Sequence, residues 1–255
     1  MPLPKISTPT YELEIPSTKK KIRYRPFLVK EEKILIIAME SQSDSQIANA
    51  VKDVLSSCVL TKDVNIENLS TFDIEYLFLN IRGKSVGEDV EVLVTCPDDN
   101  KTKVPILIKL DDIKIKTSKK HSKDIRLDDT LTLRMKYPSM KEFIKSNFSV
   151  EGMKPEDTFD LIISCIEQVY SQDESWSASD CTKDEMNDFL DQLNSTQFKE
   201  IEMFFETMPR LSHTLKVKNP KTNVENDIKL EGLTAFFGSV WLMKILSHTL
   251  KLILP

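Results

Sequence analysis

The side chains best suited to chemistry are two acidic pairs, Asp111-Asp112 and Asp128-Asp129, three histidines next to serines, and a cysteine at a turn. Paired carboxylates can grip a divalent cation or share a proton in acid–base work. No further ligand stands at a useful spacing from either pair, so both read as polar strand ends at the surface. Ser212-His213, His121-Ser122 and Ser247-His248 set a hydroxyl beside an imidazole. No GxSxG elbow accompanies them, and each reads as a loop or strand pair rather than part of a triad. Cys96-Pro97 begins as a zinc knuckle begins, but Asp99 stands where the second cysteine is needed, which leaves a lone thiol. There is no GxxxxGK[ST] and no GxGxxG. Accordingly no residue is assigned a catalytic, cofactor-binding or metal-ligating role, no cofactor is expected, and the chain reads as a non-enzyme.

Other stretches invite binding readings. Lys19-Lys20-Lys21-Ile22-Arg23-Tyr24-Arg25 mixes basic and aromatic residues and suits phosphates, although a solvated hairpin face explains it as well. Phe204-Phe205 with Met203 and Met208, and Phe236-Phe237, are aromatics at helical spacing and read as core. Ile34 to Met39 is read as a buried helix, with a partner-facing helix as the competing reading.

These residues need elements to hold them, and the bulk numbers bound what those are. The 255 residues suffice for one large domain or two modest ones. Only 5 glycines argue against a Rossmann fold, a phosphate-loop enzyme or a propeller. A net charge of -5 argues for protein partners and against nucleic acid as the main one. No signal-peptide core and no run of about 20 apolar residues is present, so neither export nor a membrane span is expected. Cys58, Cys96, Cys165 and Cys181 are scattered and are expected to be reduced thiols.

Along the chain, alternating Tyr11, Leu13 and Ile15 answered by Ile22 and Tyr24 predict a hairpin turned at Pro16–Lys19. A helix is predicted over Val29–Glu40, buried on most sides; another, capped by Asp44, with Ile47, Val51, Val54, Leu55 and Cys58 on one stripe; and a third from Ser70 or Thr71, stopped at Gly83. Val90–Cys96 and Lys103–Leu110 flank the turn Pro97–Asn100, followed by strands at 112–116, 125–127 and 131–135 with an exposed loop at Thr117–Lys123. Pro138 opens a helix carrying Met140, Phe143 and Ile144. Phe159, Ile162, Ile163, Ile166 and Tyr170 predict one helix from Pro155 onward, with a polar loop at 171–180 around Trp176. Thr182 and Glu185 form a capping box, a helix starts at Thr196 and ends at Pro209, and Thr214–Lys218 with Asp227–Glu231 make a last hairpin. The fold class is α+β: hairpins near the N-terminus, in the centre and near the C-terminus, packed with amphipathic helices. The expected division is 1–88, a hairpin plus helices; 89–137, β-rich; 138–237, helical with the last hairpin; and 238–255, an atypical tail.

The segment Pro9–Lys33, then Leu69–Leu79 with Arg82–Glu88, Met208–Leu211, and Leu230–Leu233 with Phe236-Phe237 resemble, in combination and order, the T4-type bacteriophage baseplate hub subunit and hub assembly family. The resemblance implies a non-enzymatic structural or chaperone-like assembly protein of the tail baseplate hub. It implies other hub proteins as partners, no small-molecule substrate and no membrane, and a place in the host cytoplasm during assembly or in the virion tail. The alternative function is a nucleic-acid-associated accessory protein using the lysine-rich hairpin. After Phe237 the chain departs from the family, and a reading-frame slip near residue 238 is the hypothesis for that departure. Codons exist for Trp241 onward whose shifted reading gives the more family-like Ala-His-Glu-Asp-Ser-Leu-Ser-His-Phe-Glu-Thr-Asn-Phe-Ala; an intact frame in the nucleotide sequence would sink it.

Overall fold

The computed structural model describes residues 6–41, 43–145 and 155–231. The fold is α+β, built from short antiparallel sheets and helices of modest length. The described residues of 6–66, 72–116 and 210–231 form one compact unit, and 67–71 with 117–209 form a second. The division drawn from sequence, 1–88, 89–137, 138–237 and the tail 238–255, has its boundaries elsewhere. Its β-rich middle is shared between the two units, residues up to 116 in the first and those from 117 in the second.

The first unit opens with β1 (Tyr11–Glu14) and β2 (Lys21–Tyr24), paired as expected. Lys19 takes the left-handed conformation in their turn, at φ 58. Helix α1 (Val29–Glu40) packs on α2 (Asp44–Cys58), which buries the predicted stripe of Val51, Val54, Leu55 and Cys58. Ser43, not Asp44, is the N-cap of α2. Beyond α2 the chain returns along the hairpin: Arg25 donates its amide to the Cys58 carbonyl and Leu60 donates to that of Arg23.

Helix α3 (Thr71–Val86) runs through Gly83, where a stop was expected. A Cβ there would sit 3.4 Å from Leu110 Cδ1, an ordinary packing distance, and the helical backbone passes through the glycine without a break. The helix ends instead at Gly87, whose φ of +119 suits glycine. Asp73, in its first turn, is buried and accepts hydrogen bonds from the Ser17 amide at 2.9 Å and the Ser17 hydroxyl. That bond ties the first hairpin turn to α3.

Strands β3 (Asp89–Thr95) and β4 (Lys103–Lys109) form the expected hairpin. β5 (Lys114–Lys116) joins the edge of the hairpin β10 (Arg210–Lys218) and β11 (Glu225–Glu231), giving the order β11-β10-β5. Leu79 of α3 packs with Val92, Ile108, Leu110, Leu211 and Leu215 in the core of this unit. The two hairpin turns are joined through Asp98. Its carboxylate accepts from the Asn219 and Asn226 side-chain amides, both at 3.0 Å, and from the Thr222 hydroxyl. The Thr222 and Asn219 bonds, opposed by partial desolvation and aided by Asn226, hold its pKa below the usual aspartate value.

The second unit is a four-stranded sheet, β6 (Asp124–Arg126), β7 (Thr132–Met135), β8 (Ile166–Tyr170) and β9 (Ser175–Ser177), in sequence order. It is packed with α4 (Met140–Lys145), α5 (Pro155–Ser164), α6 (Lys183–Asp191) and α7 (Ser195–Thr207). The helix expected to run from Pro155 through Tyr170 stops at Ser164, and Ile166–Tyr170 is a strand. The helix-like spacing has its source in a register irregularity between β7 and β8. Leu133 pairs with Val169, Arg134 with Gln168, and Met135 with Ile166, so Glu167 is the extra residue of a bulge. Ile166 and Val169, three apart, therefore both face the core and imitate a helical spacing. Part of the expected 171–180 loop is also ordered: Trp176 sits on β9 opposite Val169.

The α6 capping box of Thr182 and Glu185 is present as read. Helix α7 has its own, Asn194 with Gln197, which the sequence reading had not picked out. Phe204 and Ile201 of α7 lie in the core with Leu133, Met135, Ile166 and Leu190.

Candidate functional site

The residues singled out for chemistry are dispersed, and most are already engaged. Asp111 and Asp112 form an exposed helical turn in the first unit, whereas Asp128 and Asp129 occupy the β6–β7 turn of the second. Asp128 accepts from the amides of Thr130 and Leu131, at 2.7 and 2.8 Å, and those bonds lower its pKa. Asp129 pairs with Arg126 at 2.8 Å. Among the described residues no group of three or more His, Cys, Asp or Glu is arranged to hold a metal ion.

His121 was read into an exposed loop; it is instead the anchor of that loop. Its Nδ1 lies 3.1 Å from Thr207 Oγ1 and its Nε2 3.0 Å from the Tyr137 hydroxyl. Thr207 already donates its own proton to the Met203 carbonyl at 2.6 Å. The imidazole must therefore donate from Nδ1 and accept at Nε2. The ring stacks on Tyr137 and tilts against Phe204, with Lys123 over the Tyr137 ring at 4.4 Å. Burial, and then the Lys123 charge, push its pKa below the ordinary histidine value. Both nitrogens are occupied, so His121 is a structural latch and not a base. His213 sits on β10 opposite Leu230, and His248 lies outside the described residues.

Cys58, Cys96 and Cys165 are buried free thiols. Burial pushes Cys58 up to about 11 and Cys165 up to about 12, which keeps them protonated and poorly nucleophilic. In the lysine-rich hairpin, Lys19 lies 3.9 Å from Glu14, and Lys20 donates to the Asp63 carbonyl at 3.0 Å. Lys21 and Arg23 remain exposed.

One buried cation is unbalanced. Arg82 of α3 is 3% exposed, and its Nε and Nη1 have no hydrogen-bond partner. Burial pulls its pKa down to about 10, so it stays charged at neutral pH.

An open cleft of about 380 Å³ in the first unit has Tyr76, Leu79 and Ile115 among its apolar lining. Its rim alternates Glu14, Glu88 and Asp111 with Lys19, Lys84 and Lys114, and Lys84 pairs with Glu88. None of its described lining residues is a serine, threonine, cysteine or histidine.

The most unusual surface is on α1. Glu31, Leu35 and Ala38 form its buried side. Glu31 is 2% exposed, pairs with Arg25 at 2.9 Å and accepts the Leu28 amide at 2.8 Å. Burial opposes its charge, but Arg25, the Leu28 amide and Lys30 outweigh that cost and lower its pKa. The opposite side carries Val29 and Ile37, 66% and 67% exposed, and Ile34 at 43%. The expectation of a helix buried on most sides is thus corrected: its apolar residues surround the helix, and among the described residues one arc is buried, Ile36 and Met39 are half-buried, and the remaining arc is exposed.

Comparison with known families decides the identity. The family of the T4 bacteriophage base plate protein matches residues 8–238. The chain belongs to that family. No curated protein and no solved structure matches it. Family membership makes it a phage tail base plate protein, with other base plate proteins as its expected neighbours. The match ends at residue 238, the start of the tail set apart above; the tail and Phe236-Phe237 lie outside the described residues. No described helix is long and apolar enough to cross a membrane.

Proposed function

We propose that the protein is a non-enzymatic structural or chaperone-like assembly protein of the central base plate hub. It acts through protein–protein contacts, in the host cytoplasm while the hub is built. The observation that carries this reading is the family match over residues 8–238. The ordered sequence blocks, from Pro9–Lys33 to Leu230–Leu233, point within that family to its hub members.

The test is an infection in which the gene is disrupted, with mass spectrometry of purified tails and hub intermediates from the wild type. Loss of hub assembly on disruption, with the protein found in hub intermediates, is the expected result. Its absence from mature particles would mark it as a chaperone, and its presence as a permanent subunit. Normal hubs in the disrupted infection would overturn the hub role.

A further inference from the structure

The outward arc of α1 has properties that packing within its own unit does not use. Among the described residues eleven large apolar side chains face solvent, and four of them, Leu28, Val29, Ile34 and Ile37, fall within ten residues of sequence. Exposed apolar residues scattered singly need no account, but a cluster marks a contact surface. At 100° per residue, Val29, Glu40, Lys33, Ile37, Lys30 and Ile34 follow one another around a single arc. Lys30 and Lys33 are exposed between the apolar positions. Lys30 also approaches the Glu31 carboxylate at 3.3 Å, and Glu40 stands on the C-terminal turn of the same face.

The helix is firmly held from behind. Glu31 is bound at once by Arg25 and the Leu28 amide, and Leu35 and Ala38 are buried one and two turns further on. An arc fixed in this way meets a partner already ordered, which reduces the entropy lost on binding.

We propose that this arc docks the protein onto another base plate protein, which supplies an amphipathic segment of apolar and acidic residues. This rests on the reading above that the protein works by contacts within the base plate, and it adds the surface and the chemistry of the partner. The apolar side chains fill the centre of the contact, and Lys30 and Lys33 select a partner with carboxylates at its rim. A second copy of this chain would present the same lysine-bearing arc, a weaker charge match than a segment that carries carboxylates.

The test uses the full-length chain, co-expressed with each base plate protein of the same phage. Affinities are measured for wild type, V29S/I37S and K33E, and melting is followed for each protein alone. The expected result is a wild-type complex that V29S/I37S weakens by at least about thirty-fold, with Tm unchanged to within about 2 °C. K33E should slow association and flatten its salt dependence. A complex untouched by V29S/I37S overturns this surface while leaving the function reading intact. No complex with any base plate protein overturns both. A fall in Tm in V29S/I37S shows that the arc is internal packing. A change in oligomeric state identifies a second copy as occupant, and loss of binding to phosphatidylglycerol vesicles identifies a membrane; each of these also overturns the proposal.

Discussion

Helices α1 and α7 are alike in length, 12 and 13 residues, and both are rich in large apolar side chains, yet they use them in opposite ways. In α7, Phe198, Ile201, Phe204 and Phe205 repeat at three- and four-residue steps, so one face meets the sheet of the second unit and the other stays polar. In α1, Ile34, Leu35, Ile36, Ile37, Ala38 and Met39 are consecutive, so the apolar residues surround the helix. A contiguous run states that a helix is apolar without stating which side is covered. Spacing answers that question for α7, and only neighbours answer it for α1.

The contrast can be broken from the α7 side first. Phe204 is almost fully buried and meets His121, Tyr137 and Phe205 at ring distances of 5.2, 5.8 and 5.1 Å. Phe204→Ala should cost about 3–5 kcal/mol in denaturant unfolding. It should also admit water to the His121 ring and move its pKa up toward the ordinary value, which NMR titration would read. A loss under about 1 kcal/mol would mean that α7 is not the packing helix described.

On α1 the same logic applies to the buried anchor. Glu31→Gln should cost about 3 kcal/mol, because it leaves the Arg25 guanidinium without its carboxylate. The wild-type contribution is pH-dependent. The folded carboxylate has a pKa below its unfolded value of 4.5, so the stabilisation is fully present above that pH and is lost as pH falls through the folded pKa. Acid melting curves of wild type and E31Q should therefore draw together as pH falls below 4.5 and through the lowered folded pKa; parallel curves would exclude the ion pair as the anchor.

Smaller effects sharpen the picture. Asn194 caps α7 by accepting from the Thr196 and Gln197 amides at 2.9 and 3.0 Å. Asn194→Ala should cost about 1 kcal/mol. The smallest change is expected on the exposed arc: Val29→Ser with Ile37→Ser should alter stability by no more than about 0.5 kcal/mol. Calorimetry on all four proteins would rank them, and an arc variant that costs as much as the Phe204 variant would erase the difference between the helices.

The features legible without coordinates are those whose physics is local. Alternation and turn residues placed β1–β2, β3–β4 and β10–β11, because a hairpin's partner lies a few residues away. Thr182 and Glu185 announced a helix start through bonds that span three residues. Covalent order and side-chain chemistry alone thus settled the hairpins, most helix spans and the α+β class, and the ordered blocks pointed to the base plate family.

Tertiary structure decided whatever depended on a distant partner. Ile166–Tyr170 became a strand because β7 lay ready to pair with it and a bulge turned both Ile166 and Val169 inward. Gly83 stayed within α3, and the helix ran on to Gly87, whose positive φ ends it. His121 left solvent because Thr207 and Tyr137 offered it matching hydroxyls. The open arc of α1 belongs with these. Hydrophobicity is a property of residues, but burial is a property of their neighbours, and a chain reveals its neighbours only once it has folded.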